Sequence, residues 1–215
     1  MPQATMLPLR CPRCGGGLAG ASHDVVFWCE GCGVPQEVAG TCFAERTGKL
    51  ARPAVPRGDE HFYLPVWGLR VAYVCQWDDP EKEARAKLLP TIEWVYVSGF
   101  AIHNAAYYGD PGLIFTERRV VLTPRNAREP AAVVAGCARS QEEAKAFVEP
   151  HVLTIIDRRV DVTGLELSAS VSEAILWGVP YFDDGETLQD GILGLKIPAA
   201  AITELSEIRS CRPTR

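Results

Sequence analysis

The chain of 215 residues lacks any run of the roughly 18–20 consecutive apolar residues that a membrane-spanning helix requires. Its start also lacks the basic-then-apolar pattern of a secretory signal peptide. Positive charge is scarce, because 22 Lys and Arg residues face 27 Asp and Glu residues, for a net charge of −5. These absences predict a cytoplasmic protein with no membrane span. The charge also makes nucleic acid an unfavourable partner, because non-specific phosphate binding needs a surplus of Lys and Arg.

Common catalytic motifs are missing as well. The sequence has no HExxH, GxSxG or Walker A pattern, and the glycines around Gly191 and Gly194 do not complete a GxGxxG loop. An enzyme would therefore have to use an unfamiliar constellation. The richest polar cluster is Asp183, Asp184 and Glu186, whose carboxylates suit a divalent cation or an acid–base pair if the fold brings them together. An ordinary solvated turn between strands is the interpretation that we favour.

Two CxxC pairs, separated by fourteen residues, lie near the start of the chain: Cys11, Cys14, Cys29 and Cys32. Two residues between thiolates let a tight turn aim both sulfurs at one ion, and two such turns close a tetrahedron. A glycine follows each pair, at Gly15 and Gly33, where positive φ is expected as the chain turns away from the metal. The spacing predicts a four-thiolate metal site in preference to free thiols or redox dithiols.

The CPxCGG and WCxxCG pieces around these cysteines resemble the zinc-ribbon family over about residues 8–45. The resemblance implies a small antiparallel β unit with Zn²⁺ held by the four cysteines, and it identifies no partner or reaction. Sulfur tetrahedra also accept iron, as in rubredoxins, whose cysteine pairs lie farther apart, so zinc is favoured and electron transfer through iron is the alternative. His23 could replace a thiolate, but a surface imidazole is favoured because four cysteines already complete the shell.

Composition divides the chain into a zinc ribbon (residues 1–45), a linker rich in proline, glycine and charge (46–60), and a β-rich domain (61–215). Strands are expected at 61–74, with an edge or bulge at Pro65, and at 92–100, 113–115, 152–156 and 165–171. Helices are expected after Asp79, after Ser140 and from Pro198. The predicted fold class is α+β, with the ribbon followed by a mostly antiparallel β domain carrying a few peripheral helices.

A weak internal echo links residues 64–67 (LPVW) with residues 179–182 (VPYF). Duplication of the large domain is one interpretation of this echo, and chance similarity in a strand-rich chain is the other. The same strand is similar to the YLPFW-like strand of uncharacterised bacterial zinc-ribbon proteins. That resemblance implies an accessory protein of unknown activity.

The sequence favours a non-enzymatic, zinc-binding adaptor that engages a protein partner. A nucleic-acid-binding zinc-ribbon protein is the first alternative, and it would need a local stripe of cations such as Arg46, Lys49, Arg52 and Arg57. A metal-dependent hydrolase is the second alternative. It gains support if the carboxylates near Asp183 converge in a pocket with His103 or His151, and it loses support if they do not.

Overall fold

The structure is a computed structural model that describes residues 7–54, 61–126, 133–203 and 205–210. Two sheets of four and six strands, together with short helices, form an α+β fold, as the sequence predicts. No helix within the described residues is long and apolar enough to cross a membrane.

The N-terminal sheet has the strand order β1-β2-β3-β4 and is antiparallel throughout. Its strands are β1 (Leu18–Ala19), β2 (Val26–Cys29), β3 (Pro35–Ala39) and β4 (Cys42–Glu45). Side chains alternate between the two faces of β2, and all four are buried. Val26 and Trp28 pack into the core of the large domain, whereas Phe27 and Cys29 pack with Cys11 on the opposite face. One short strand therefore joins the cysteine cluster to the main core.

The large sheet has the order β10-β9-β8-β6-β7, with β5 parallel to the middle of β8. Its strands are β5 (Gly48–Leu50), β6 (His61–Trp77), β7 (Trp94–Ser98), β8 (Leu165–Asp183), β9 (Thr187–Asp190) and β10 (Lys196–Pro198). Strands β6 and β8 pair along their full lengths. The strands predicted at 61–74 and 165–171 are confirmed and are longer than predicted.

Pro65 does not form the expected bulge, but it does lie at an edge of the pairing between β6 and β7. It lies inside β6, opposite Gly178 of β8, and the register shift falls between Arg70 and Val71 instead. The carbonyl of Pro65 accepts from Gly99, where the ladder with β7 has ended at Ser98. The missing N–H of proline is tolerated here because it falls at the end of that ladder.

The described residues form six short helices around the sheets: α1 (Pro80–Ala86), α2 (Ala105–Tyr108), α3 (Pro111–Glu117), α4 (Gln141–Ala146), α5 (Val148–Asp157) and α6 (Leu205–Ser210). The helix starts predicted after Asp79 and Ser140 are confirmed. Asp79 caps α1, and Ser140 forms a capping box with Glu143 at the start of α4. Residues Ala199–Ala201 form a 3₁₀ turn.

Two predicted strands are wrong. Residues 152–156, predicted as a strand, belong to α5, because Val148, Val152 and Ile156 recur at helical spacing and are buried. Pro150 does not end this helix because it stands in the first turn, where a missing N–H costs nothing. Residues 113–115 lie in α3, which Asp110 caps. The helix predicted from Pro198 is present as two short pieces, the 3₁₀ turn directly after Pro198 and α6.

The N-terminal sheet is joined to the large domain by backbone hydrogen bonds as well as by packing. The N–H groups of Val25 and Val26 donate to the carbonyl of Cys137 over 2.8 and 3.0 Å, and Cys137 N–H returns a bond to Val26. Part of the segment predicted as a linker, Gly48–Leu50, is a strand of the large sheet, and residues 55–60 lie outside the described part. The domain boundaries remain a prediction.

Candidate metal centre

The two cysteine pairs occupy two turns with the same backbone pattern. In the first turn, Gly15 N–H donates to Cys11 O over 2.8 Å, and in the second, Gly33 N–H donates to Cys29 O over 2.8 Å. Gly15 and Gly33 have φ values of 75° and 70°, which confirms the positive φ expected from the sequence. Strands β1 and β2 bring the turns together, since Leu18 pairs with Cys29.

The four sulfurs form one compact group. All of them lie within 4.8 Å of one another. The Sγ atoms of Cys11 and Cys32 are 3.8 Å apart, and those of Cys14 and Cys29 are 3.3 Å apart. A tetrahedral ion with metal–sulfur bonds of about 2.3 Å would set its ligands about 3.8 Å apart. The donor set therefore fits one metal ion of the zinc or iron kind, and the separations are too long for disulfide bonds.

Backbone N–H groups donate to the sulfurs of Cys14, Cys29 and Cys32, which by itself lowers the pKa of each of these thiols. Burial would raise the pKa of Cys29, but N–H groups of Cys32 and Gly31, together with the neighbouring thiols, lower it to about 7. At Cys32 the Val34 N–H acts in the same direction, yet burial and the neighbouring thiols raise its pKa to about 12. One sulfur of the group is thus readily deprotonated, which suits metal binding because the thiolate is the ligand.

Two glycines let the chain close around the sulfurs. A Cβ atom on Gly16 would lie 3.3 Å from the Sγ atoms of both Cys14 and Cys29, and one on Gly31 would lie 3.4 Å from Cys14 Sγ. Larger residues would therefore crowd the sulfurs. His23 is exposed and does not belong to the group.

The acidic residues near the end of β8 do not converge. Two hydrogen bonds of 2.8–2.9 Å tie the carboxylate of Asp183 to Arg209 of α6. Asp184 accepts from the N–H and hydroxyl of Thr187 and from the Glu186 N–H, and these hydrogen bonds lower its pKa. Within the described residues, the four cysteines are the only group of three or more metal-ligating side chains that lie this close together.

Neither His103 nor His151 belongs to a group of metal-ligating side chains within the described residues. His103 is exposed on the chain before α2, whereas His151 is buried in α5. Sequence reasoning missed a buried polar cluster near His151, in which Ser98 Oγ donates to Asp110 over 2.6 Å and Arg139 donates to the Ser98 carbonyl. Only the helix-capping role of Asp110 could have been inferred, from the proline that follows it.

No known protein family, no curated protein and no solved structure matches this chain.

Proposed function

We propose that this chain is a zinc-stabilised adaptor in which Cys11, Cys14, Cys29 and Cys32 hold one structural Zn²⁺. The observation that carries the proposal is the convergence of these four sulfurs at the end of β2. Four protein ligands fill a tetrahedral shell and leave no position for a substrate, which is the mark of a structural site. Zinc is preferred to iron because the cysteine pairs lie closer in sequence than those of rubredoxins.

The location of the site explains what the metal does. Cys29 and Trp28 are neighbours on β2, and the indole of Trp28 is buried in the same core as Trp67 and Leu69 of the large sheet. A sheet of such short strands cannot bury enough apolar surface to be stable alone, so metal binding supplies part of its folding free energy. The zinc site therefore holds β2 in the position that the large domain packs against.

An adaptor role is supported by the surface of the large domain. Tyr107 and Tyr108 of α2 are stacked edge to face, with ring centroids 4.9 Å apart, and Tyr107 is 76% exposed. Tyrosine is enriched in the energetic centres of protein interfaces because it offers a large apolar ring and a polar tip. We assign this pair as a contact for a protein partner.

The two alternatives have weaker support. For nucleic-acid binding, Arg46 is engaged by Glu37 at 2.8 Å and Lys49 lies over the ring of Trp177. Arg57 lies outside the described residues. For a hydrolase, the carboxylates around Asp183 are held in separate local interactions, as described above.

Two measurements on the full chain test the proposal. Elemental analysis should find one zinc per chain, and Cys29→Ser should remove it, whereas Cys42→Ser should retain it because Cys42 lies outside the cluster on β4. Affinity isolation from the native host after nuclease treatment should recover a stoichiometric protein that Tyr107→Arg releases. Zinc-free protein, or recovery of nucleic acid alone, would refute the adaptor proposal.

A further inference from the structure

A cavity of about 360 Å³ opens in the large domain, and none of its lining residues has a role in the proposed function. It is enclosed by the end of β6, helix α1, the chain before β7, and the ends of α3 and α5. Its wall is largely apolar, with Trp77, Leu89, Ile92 and Ile155 among the lining residues. Its volume falls at the small end of the range for ligand pockets, about 300–1,000 Å³.

One buried polar group in this wall has no acceptor. Trp77 is 9% exposed, and its indole Nε1–H makes no hydrogen bond with any part of the chain that the structure describes. Buried donors are nearly always paired, because an unpaired one loses its hydration without compensation. The Trp77 side chain thus forms part of the cavity wall, and its Nε1–H is a buried donor for which the described residues provide no partner.

The exposed lining residues give the cavity mouth a positive charge. Two acidic residues are neutralised locally: Glu83 pairs with Lys87 at 2.8 Å, and Glu117 pairs with Arg158. Arg119 and Arg159 also line the cavity, are exposed, and have no ion-pair partner among the described residues. Two guanidinium groups are therefore available to an anion at the opening.

We propose that this cavity binds a small amphipathic anion, an unbranched alkyl chain with a carboxylate head. The alkyl chain occupies the apolar wall between α1 and α5, where its burial supplies the affinity. The carboxylate lies at the opening, where Arg119 and Arg159 offer forked donors that match its geometry. A cationic or strictly apolar ligand would leave these donors unsatisfied.

Calorimetric titration of the zinc-loaded full chain with decanoate tests the assignment. Decanoate should bind once per chain, and decylamine, which has the same chain with a positive head, should bind at least about tenfold more weakly, a difference of 1.4 kcal/mol. Arg159→Glu should weaken decanoate by about tenfold. Arg118→Glu is the matched control, because Arg118 is exposed beside Arg119 but does not line the cavity. It should leave the affinity unchanged.

Two further variants test whether the ligand occupies the interior of the cavity. Ala86→Trp fills the cavity from α1, a helix with no buried residues, so the fold should survive and decanoate binding should be lost. The indole ¹⁵N–¹H resonance of Trp77, assigned through Trp77→Phe, should shift on titration of the native chain. Failure of decanoate to bind, equal binding of decylamine, or undiminished binding to Ala86→Trp would overturn the proposal. None of these results depends on the metal or on a protein partner.

Discussion

The carbonyl oxygen of Pro65 accepts a hydrogen bond from the N–H of Gly99 over 2.9 Å. Proline has no N–H to return this bond, so the carbonyl of Gly99 accepts instead from Ala138 over 2.7 Å. The ladder between β6 and β7 therefore ends one residue earlier, at Ser98. A third segment of chain then covers the strand end.

The same arrangement recurs in the second half of the domain. Gly191 N–H donates to the carbonyl of Pro180 over 2.7 Å, and the carbonyl of Gly191 accepts from Ala54 over 2.7 Å. Pro65 and Pro180 are the two prolines of the LPVW and VPYF echo. This repeated hydrogen-bond pattern supports the interpretation of the large domain as a duplication, which remains a proposal.

The close approach at Gly99 predicts a specific sensitivity to side-chain volume. A Cβ atom there would lie 2.5 Å from the Sγ of Cys137 and 3.1 Å from Pro65. We expect Gly99→Ala to lower the free energy of unfolding by about 1–3 kcal/mol, since well-packed cores resist added volume. Urea denaturation measures the loss.

A double-mutant cycle separates this clash from a general effect of alanine. Cys137→Ala removes the sulfur, so its combination with Gly99→Ala should cost less than the sum of the two single changes. Gly17→Ala is the control, because its Cβ would meet only the end of the Glu30 side chain at 3.4 Å. Strict additivity would show that the sulfur contact is not the cause.

Removal of the metal should act first on the N-terminal sheet. Chelation is expected to raise hydrogen exchange across β1 to β4, because in the proposed structural role metal binding supplies part of their folding free energy. Exchange should also rise at Cys137, whose N–H donates to Val26. Exchange in the centre of β8 should change least. If chelation removes the bound metal and the exchange rates across β1 to β4 stay unchanged, a structural role for the ion is contradicted.

Trp28 should influence metal binding although it contacts the core and not the sulfurs. Trp28→Ala leaves a cavity beside Trp67 and is expected to cost about 3–5 kcal/mol of stability. Because β2 carries both Trp28 and Cys29, we expect weaker zinc affinity, measured by competition with a chelating dye. Val74→Ala, at a side chain that is 56% exposed, is the control. Unchanged affinity in the Trp28 variant would show that site and core are uncoupled.

The sequence predicted best those features that are determined by a few neighbouring residues. The cysteine spacing, the positive φ at Gly15 and Gly33, and the capping box at Ser140 are each set within a few residues, and all appear as expected. The two long strands, β6 and β8, could also be predicted, because their alternating and β-branched residues continue over many positions.

Features that depend on distant residues were not visible. The short strand Gly48–Leu50 has no alternation of its own and forms only because it pairs with β8. The bond from Val26 to Cys137 and the neighbours of His151 likewise follow from tertiary packing. The sequence predicts a strand within α5 because Pro150 suggests that a helix ends there. The helical spacing of the buried residues begins at Val148, before this proline.

The burial of His151 predicts a loss of stability in mildly acidic solution. Burial lowers the pKa of this imidazole below its ordinary value of 6.5, despite the opposing charge of Asp110 and a hydrogen bond to the Tyr96 carbonyl. Between the folded-state pKa and 6.5, the imidazole therefore binds a proton in the unfolded chain but not in the folded chain. Stability contributed by the neutral ring is complete above pH 6.5 and is lost as the pH falls through the lower, folded-state pKa.

The slope of this loss can approach about 1.4 kcal/mol per pH unit for a single proton. Urea denaturation of His151→Gln between pH 5.5 and 7.5 should show a flatter dependence than the native chain. His103→Gln is the matched control, because His103 is exposed, and it should retain the native slope. Metal loss at low pH would affect all three proteins alike and would leave their differences intact. Parallel slopes in the native chain and His151→Gln would mean that another group titrates in this range.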